Sequence, residues 1–216
     1  MDLKNFLELA QGLITSLEIF GLTLLFSMPM GMVVAFGRMS KNKILSAVTS
    51  FYISVMRGTP LMLQLIIVYF GPYYLFRIRV GASYRFIAVI IAFSLNYAAY
   101  FAEIYRSGLQ AMPKGQYEAA KVLGYSKSQT FFHIILPQLL KQVLPSITNE
   151  IITLVKDTSL AFAIAVTEMF TVAKQLAAAQ ATIVPLLMAG LYYYIFNLLV
   201  SIVMDRIEKH YSYYRA

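Results

Sequence analysis

The stretch that decides the fold reads IFGLTLLFSMPMGMVVAF, from Ile19 to Phe36, and it contains no charged side chain. About 20 predominantly apolar residues are enough for an α-helix to cross the hydrocarbon core of a bilayer. Three further segments are equally free of charge: 58–76, 86–102 and 175–204. The repetition of this pattern predicts a helical membrane protein.

A fifth apolar stretch, 142–167, is interrupted by Glu150, Lys156 and Asp157. We count it as a span because ionisable residues at membrane depth are tolerated where they face a cavity or a partner. The sequence therefore predicts an all-α integral membrane fold in one domain, 1–216, with five transmembrane helices. The predicted spans are 13–36, 52–76, 86–103, 142–167 and 183–204, with a connecting loop at 104–141.

The composition agrees with this fold class and excludes others. Hydrophobic residues make up 59% and charged residues 13% of the 216 residues, against about 45–50% and about 25% in soluble domains. The absence of cysteine excludes thiol catalysis and thiolate metal ligands, and two histidines argue against a metal site. No Gly-x4-Gly-Lys-Ser/Thr sequence occurs, so we expect no ATP-binding loop and no cofactor on this chain.

The basic residues outside the predicted spans divide unequally between the two membrane faces. One face carries eleven: Arg38, Lys41, Lys43, Arg106, Lys114, Lys121, Lys127, Lys141, Arg206, Lys209 and Arg215. The other face carries five: Lys4, Arg77, Arg79, Arg85 and Lys174. Because cytoplasmic loops hold the excess of Lys and Arg, the sequence predicts a cytoplasmic C-terminus and an N-terminus outside. We attribute the net charge of +8 to this orientation and not to nucleic acid binding.

The loop 104–141 is too long for a simple connection and is expected to fold. Its first part, 116–123, favours a helix, and Gly124 is placed as its C-terminal cap. Ser126 and Gln129 have the spacing of a capping box for a second helix, which Pro137 is expected to end. We interpret the loop as a knob of two short helices, which either binds a partner or merely packs against the bilayer surface or its own bundle.

The knob also carries a family motif. Glu118-Ala119-Ala120, Gly124, Ile134 and Leu136-Pro137 fit the spacing Glu-Ala-Ala-x3-Gly-x9-Ile-x-Leu-Pro without a gap. This pattern resembles the EAA loop of membrane subunits of binding-protein-dependent ABC importers. The segments 57–64, 100–108 and 156–160 are similar to the polar amino acid branch of that family, which includes histidine, glutamine and arginine systems.

The resemblance implies a permease in a prokaryotic cytoplasmic (inner) membrane whose power source lies on another chain. It implies that Glu118, Ala119, Ala120, Gly124, Ile134, Leu136 and Pro137 contact a cytoplasmic ATP-binding subunit, present in two copies, which holds ATP and Mg²⁺. It also implies a second permease chain, identical or a sister, and an extracytoplasmic solute-binding protein. The cargo would be a polar amino acid.

The charges in the fourth predicted span are candidate substrate ligands. Glu150 and Asp157 are seven residues apart and so share one helix face, about 10 Å apart along the axis. Asn149 and Lys156 have the same spacing on the neighbouring stripe. Either the two acids bind the cationic groups of a substrate, or Lys156 neutralises one of them and the ridge joins helices. Glu150 favours a basic amino acid such as arginine, lysine or histidine as the substrate. Glutamine or cystine is the alternative substrate.

Three polar residues of other spans complete the candidate site. Gln64 and Asn96 interrupt apolar runs, and each either hydrogen-bonds a substrate or joins two helices. Arg57 has a guanidinium suited to a carboxylate, unless it pairs with an acid such as Glu103 or extends to the headgroups. Two other classes of protein compete with the importer: a lipid-modifying enzyme, which would need clustered carboxylates or histidines, and an ion-driven carrier, which usually has repeated halves.

Overall fold

The computed structural model describes residues 3–211, and within that range the chain is helical without strands. Its elements are α1 (Leu3–Arg38), α2 (Lys43–Gly58), α3 (Leu61–Phe76), α4 (Tyr84–Ala111), α5 (Lys114–Val122), α6 (Lys127–Gln129), a π-helix (Thr130–Ile135), α7 (Leu136–Asp157), a 3₁₀-helix (Thr158–Ile164), α8 (Met169–Ala179) and α9 (Val184–Tyr211). Arg215 and the side chain of Lys4, both used in the orientation count, lie outside the described residues.

Three helices are long and apolar enough to cross a membrane unbroken: α1, α4 and α9. Two further crossings are possible if each of two bent helix pairs counts as one span, which gives between three and five. The first pair is α2 with α3, bent by 109°, and the second is the long helix 127–164 with α8, bent by 58°.

The segment 52–76, expected as one span, therefore divides into α2 and α3. Thr59 is extended, with φ −124° and ψ 148°, and Pro60 precedes the first turn of α3. Proline has no N–H and disfavours helical backbone at the residue before it, which ends α2 at this point. The break puts the polar sequence Arg57-Gly58-Thr59 at a corner of the fold.

The centre of the molecule is α4, whose small residues allow neighbouring backbones to approach closely. α1 packs along it, with Gly31 so close to Phe101 that an added Cβ would lie 2.7 Å from the Cβ of Phe101. Gly108 meets α7 in the same way, because an added Cβ would lie 2.3 Å from Val143. Small residues at such crossings allow the tight packing that joins helices in membranes.

The second helix of the knob does not end at Pro137, contrary to the sequence-based expectation. The chain stays helical from Lys127 to Ile164, through the π-helix, α7 and the 3₁₀-helix. A π-helix ends just before Pro137, where the Leu136 N–H donates to Phe131 O. This five-residue bond rearranges the ladder at the point where Pro137 lacks a donor, so the chain continues as a helix. The second helix of the knob is therefore continuous with α7.

Candidate functional site

Within the loop 104–141, the two helices of the knob occupy residues 113–137. The first of them is α5, which ends in a backbone cap. Gly124 has φ 78°, a left-handed conformation that glycine adopts most easily. Its N–H donates to Lys121 O at 3.1 Å, and the Tyr125 N–H donates to Ala120 O at 3.0 Å. These two bonds form a Schellman motif, which confirms the predicted cap.

The second helix of the knob starts with the expected capping box. The Gln129 N–H donates to Ser126 Oγ at 3.3 Å, and the Ser126 N–H donates to Gln129 Oε1 at 2.8 Å. The bend between α5 and this helix is thus held by bonds within a few residues, at Gly124 and at Ser126.

The knob has a free surface in the single chain. Glu118, Ala119 and Gly124 are exposed, and Val122 keeps 87% of its surface accessible. Ala120 is buried at 1%, so in the single chain it does not belong to the exposed surface to which Ala119 contributes. The knob is not tucked beneath its own bundle, and α5 packs against the π-helix of the knob.

The downstream motif residues lie on the second helix. Ile134 and Pro137 line a small cleft of about 170 Å³ together with His133, Gln138 and Lys141. The Gln138 side chain donates to Ile134 O at 2.9 Å and to Gln116 Oε1 at 3.4 Å. Leu136 is partly buried against the main core. The downstream motif residues thus connect the knob to the membrane helices.

Asp157 is held by a tyrosine of α4. The Tyr97 hydroxyl donates to Asp157 Oδ2 at 2.8 Å, and the Tyr97 side chain is 2% exposed. Asp157 is the last residue of α7, where the helix tightens into the 3₁₀ segment. A bond to a charged acceptor is stronger than one between neutral groups, so Tyr97 fixes the carboxylate across the α4–α7 contact.

Glu150 is partly buried, and Arg57 and Asp157 are the charged groups that act on it. Arg57 lies with its guanidinium carbon 5.3 Å from the centroid of the Tyr100 ring, in cation–π geometry. Among residues 5–211, neither Glu150 nor Asp157 forms an ion pair with Lys156 or Arg57 within 4 Å. Glu150 and Asp157 therefore share one region with Arg57, and neither acid forms a direct ion pair with it.

Glu103 forms its ion pair with Arg106 and not with Arg57, the pairing that the sequence analysis considered as an alternative. Arg106 binds both of its carboxylate oxygens, and this pair lies one turn apart on α4. Arg57 consequently does not rely on Glu103 as its partner.

The polar ridge of α7 faces outward from the single chain. Asn149, Thr153 and Lys156 are all exposed. A lysine at membrane depth costs about 2.5–3.5 kcal/mol on insertion scales, so such residues face a cavity or another protein. The ridge is the kind of surface that a second chain or a polar pathway would cover.

Gln64 and Asn96 contact each other and the corner between α2 and α3. Asn96 Nδ2 donates to Gln64 Oε1 and to Met56 O, both at 3.0 Å. Gln64 Nε2 donates to Met56 O at 2.9 Å and to Thr59 Oγ1 at 2.8 Å. The two amides satisfy backbone carbonyls that the break leaves without helical partners. Their donors are occupied by the fold, which favours the helix-joining interpretation over direct substrate contact.

Sequence reasoning missed two aromatic members of this region and one buried acid. Tyr97 follows the rule that a buried tyrosine hydroxyl seeks a partner, but the sequence does not show which partner. Tyr100 contributes through its ring, which lies under the Arg57 guanidinium. Glu168 is fully buried and caps α8, accepting from the N–H groups of Phe170 and Thr171 at 2.7 Å and from the Tyr193 hydroxyl at 3.0 Å. Its position just after a predicted span was the available signal.

Comparisons with known proteins identify the family of the chain. Residues 27–213 match the family described as binding-protein-dependent transport system inner membrane component. The putative glutamine transport system permease protein GlnP of Rickettsia conorii is 35% identical, over 93% of this chain and 91% of its own length. The L-cystine transport system permease protein TcyB of Bacillus subtilis is 37% identical, over 96% and 88%. The arginine transport system permease protein ArtQ of the same species is 36% identical, over 92% and 90%.

The fold also matches a solved structure. An amino acid ABC transporter crystallised with histidines superposes with a TM-score of 0.86 at 30% identity, covering 97% of this chain and 99% of the other.

Proposed function

The chain belongs to the family of binding-protein-dependent transport system inner membrane components, as a permease of an amino acid ABC importer, and on that premise we propose that its cargo is a basic amino acid. Arginine, lysine and histidine are the candidates. Glutamine or cystine is the alternative, since relatives bearing those names are as similar as the arginine permease.

The observation that carries the proposal is the pair of carboxylates on α7. Glu150 and Asp157 lie two turns apart on α7, are both partly buried, and have no ion pair with Lys156 in the described part of the chain. One carboxylate suffices for the α-ammonium that every amino acid carries, so a second suits a cationic side chain. Asp157, fixed by Tyr97, is assigned to the α-ammonium, and Glu150 to the side chain.

Arg57 supplies the opposite charge in the same region. Its guanidinium matches a carboxylate in shape and charge, and the cation–π contact with Tyr100 holds it without neutralising it. We assign Arg57 to the α-carboxylate of the substrate. Gln64 and Asn96 then act indirectly, by fixing the corner that carries Arg57.

The energy for transport is assigned to a separate ATP-binding subunit that binds the knob. Closure of two such subunits on nucleotide would move two knobs and, through the unbroken helix 127–164, the carboxylates of α7. Nucleotide and substrate would then bias the same inward–outward equilibrium by linkage. The exposed ridge of α7 supports a second permease chain across the pathway.

The membrane arrangement follows from the same assignment. We assign five crossings, with α2–α3 and α7–α8 as bent ones, in a single domain. The knob and the C-terminus face the cytoplasm and the N-terminus faces outward, where a solute-binding protein delivers the substrate. The chain would lie in a prokaryotic inner membrane.

The test of the cargo is uptake by the reconstituted transporter with Glu150→Gln. Loss of the carboxylate should lower arginine uptake about tenfold, as expected for one charge-assisted contact, and leave glutamine uptake within about twofold. Asp205→Asn, at an exposed position of α9, is the matched control and should change neither. Equal losses for arginine and glutamine would remove the case for a basic substrate, and normal uptake of both would remove Glu150 from the site.

The assignment of ATP hydrolysis to a separate subunit has its own test. The purified chain should neither bind nor hydrolyse ATP, and hydrolysis should occur only after the ATP-binding subunit is added. Turnover by this chain alone would contradict the assignment.

A further inference from the structure

An open groove of about 700 Å³ separates the knob from the ends of α1 and α4. Its lining is Phe36, Met39, Leu109, Tyr117, Lys121, Tyr125, Ser126, Lys127, Thr130 and Phe131. The volume falls within the range of sites that enclose small ligands, about 300–1,000 Å³. Neither the charged residues of α7 nor the exposed motif residues of the knob belong to it, so it is separate from both sites described above.

The walls of the groove are largely apolar and aromatic. Phe36 lies in the last turn of α1 and Met39 directly follows this helix, and they are 46% and 41% exposed. Phe36 packs edge-on against Phe131, with ring centroids 5.4 Å apart. Tyr117 and Tyr125 supply the wall on the knob side, and both remain 42% exposed. These side chains leave a large apolar surface open to an occupant.

The rim of the groove is cationic. Lys121 and Lys127 line it and are both exposed, and its ten lining residues include no acid. A tyrosine phenol is neutral at physiological pH, so Tyr117 adds no negative charge to the groove. An occupant must therefore combine an apolar body with an anionic group.

The location narrows the chemistry of that occupant. Phe36 and Leu109 lie near the ends of two long membrane helices, α1 and α4, so the groove opens where a bilayer surface meets the knob. Basic pockets between membrane helices at the cytoplasmic surface are typical sites for anionic lipid headgroups.

We propose that the groove binds one anionic phospholipid of the cytoplasmic leaflet. The phosphate lies between Lys121 and Lys127, and an acyl chain runs along Phe36, Met39 and Phe131. The proposal rests on the membrane orientation assigned above, but not on which amino acid is carried. A free phosphate would leave the aromatic walls bare, and a protein partner has the separate exposed surface around Val122 and Leu123, at 87% and 72% accessibility.

The test measures lipid retention by native mass spectrometry of the assembled transporter. The complex is purified from nanodiscs of phosphatidylcholine with 30% phosphatidylglycerol. We expect one phosphatidylglycerol to be retained per permease chain. Lys121→Gln and Lys127→Gln should each reduce its occupancy about fivefold or more. Lys114 is an exposed lysine of α5, the helix that carries Lys121, and lies outside the groove lining. Lys114→Gln should retain the wild-type amount of lipid.

A second variant tests the apolar part independently of charge. Met39→Trp adds volume at a partly exposed wall position and should exclude the acyl chain, lowering retention while both lysines remain. Glycerol phosphate added at millimolar concentration should not displace the lipid, because it lacks the acyl chain.

Three results would overturn the proposal. The first is equal retention by wild type, Lys121→Gln and Lys127→Gln. The second is retention of phosphatidylcholine as strong as that of phosphatidylglycerol. The third is retention by the isolated permease chain that is lost in the assembled transporter, which would make the groove part of the interface with the ATP-binding subunit. Amino acid uptake is measured on the same samples, so an incorrect cargo assignment would show there without affecting lipid retention.

Discussion

The knob and the polar region around α7 are both candidate sites, but they are held in place by different kinds of bonds. The knob is shaped by contacts between near neighbours, such as Ser126 with Gln129 and Gly124 with Lys121. In the polar region, Tyr97 binds Asp157 across 60 residues of sequence, and Asn96 binds Gln64 across 32.

This difference separates the shape of the knob, which local bonds fix, from the position of the polar side chains, which depends on how the helices pack. A motif closed by local bonds keeps its shape wherever the helix bundle moves, as a mechanical contact requires. A site assembled from several helices changes as those helices shift, as alternating access requires. The unbroken helix from Lys127 to Ile164 links the two regions, so a displaced knob would act directly on Asp157.

The strongest test of this division is charge reversal on the knob. Glu118→Arg should lower ATP-driven uptake on the order of 100-fold, because a mispaired charge within an interface costs several kcal/mol. The substrate region should be unaffected, so substrate binding to the detergent-solubilised complex should stay within twofold of wild type.

Asp205→Arg is the control for Glu118→Arg, since it reverses an exposed charge on α9. It should leave uptake within about twofold. Wild-type uptake in Glu118→Arg, with normal membrane insertion, would remove Glu118 from the coupling contact.

The same division explains what could be predicted from the sequence. The cap at Gly124, the capping box at Ser126 and the apolar helices α1, α4 and α9 depend on residues close in sequence, and each was found. The corner at Thr59 could also have been read from Pro60, but a charge-free run of apolar residues hid it. Pro137 was wrongly expected to end a helix, because a π-helix accommodates it without a break.

The contacts of the polar region could not be derived in this way. The sequence identifies Asp157, Asn96 and Gln64 as unusual, because each is polar within an apolar stretch. It does not reveal that Tyr97 is the partner of Asp157, or that the two amides bind one another and the carbonyls of Met56 and Thr59. Those pairings depend on how helices cross, which local pattern does not specify.

A smaller effect is expected from breaking the long-range contact alone. Tyr97→Phe removes the hydroxyl that binds Asp157 and keeps the ring in the core. Hydrogen bonds to charged groups contribute about 1.5–3 kcal/mol, so substrate affinity should fall roughly tenfold or more while ATP hydrolysis by the complex persists. Isothermal titration calorimetry would measure the affinity, with an amino acid whose transport has been verified by radiolabelled uptake.

Tyr105→Phe is the matched control for Tyr97→Phe. Tyr105 is buried on the same helix, and its hydroxyl forms no hydrogen bond to another of the residues that the structure describes. Its replacement should leave affinity unchanged. If both variants behaved alike, the loss would come from repacking of α4 and not from the bond to Asp157.

The smallest expected effect comes from weakening the local bonds of the knob. Ser126→Ala removes the acceptor for the Gln129 N–H, a loss worth about 1 kcal/mol at a helix N-terminus. Amide exchange at Gln129 and Thr130 should therefore accelerate about fivefold, whereas exchange around Asp157 should not change. Ser128→Ala, an exposed serine whose hydroxyl makes no hydrogen bond within residues 3–211, should accelerate neither. Because the π-helix and α7 continue the same helix, spread of the faster exchange to Asp157 would show that the cap at Ser126 also stabilises the distant site, and the separation of shape from position would fail.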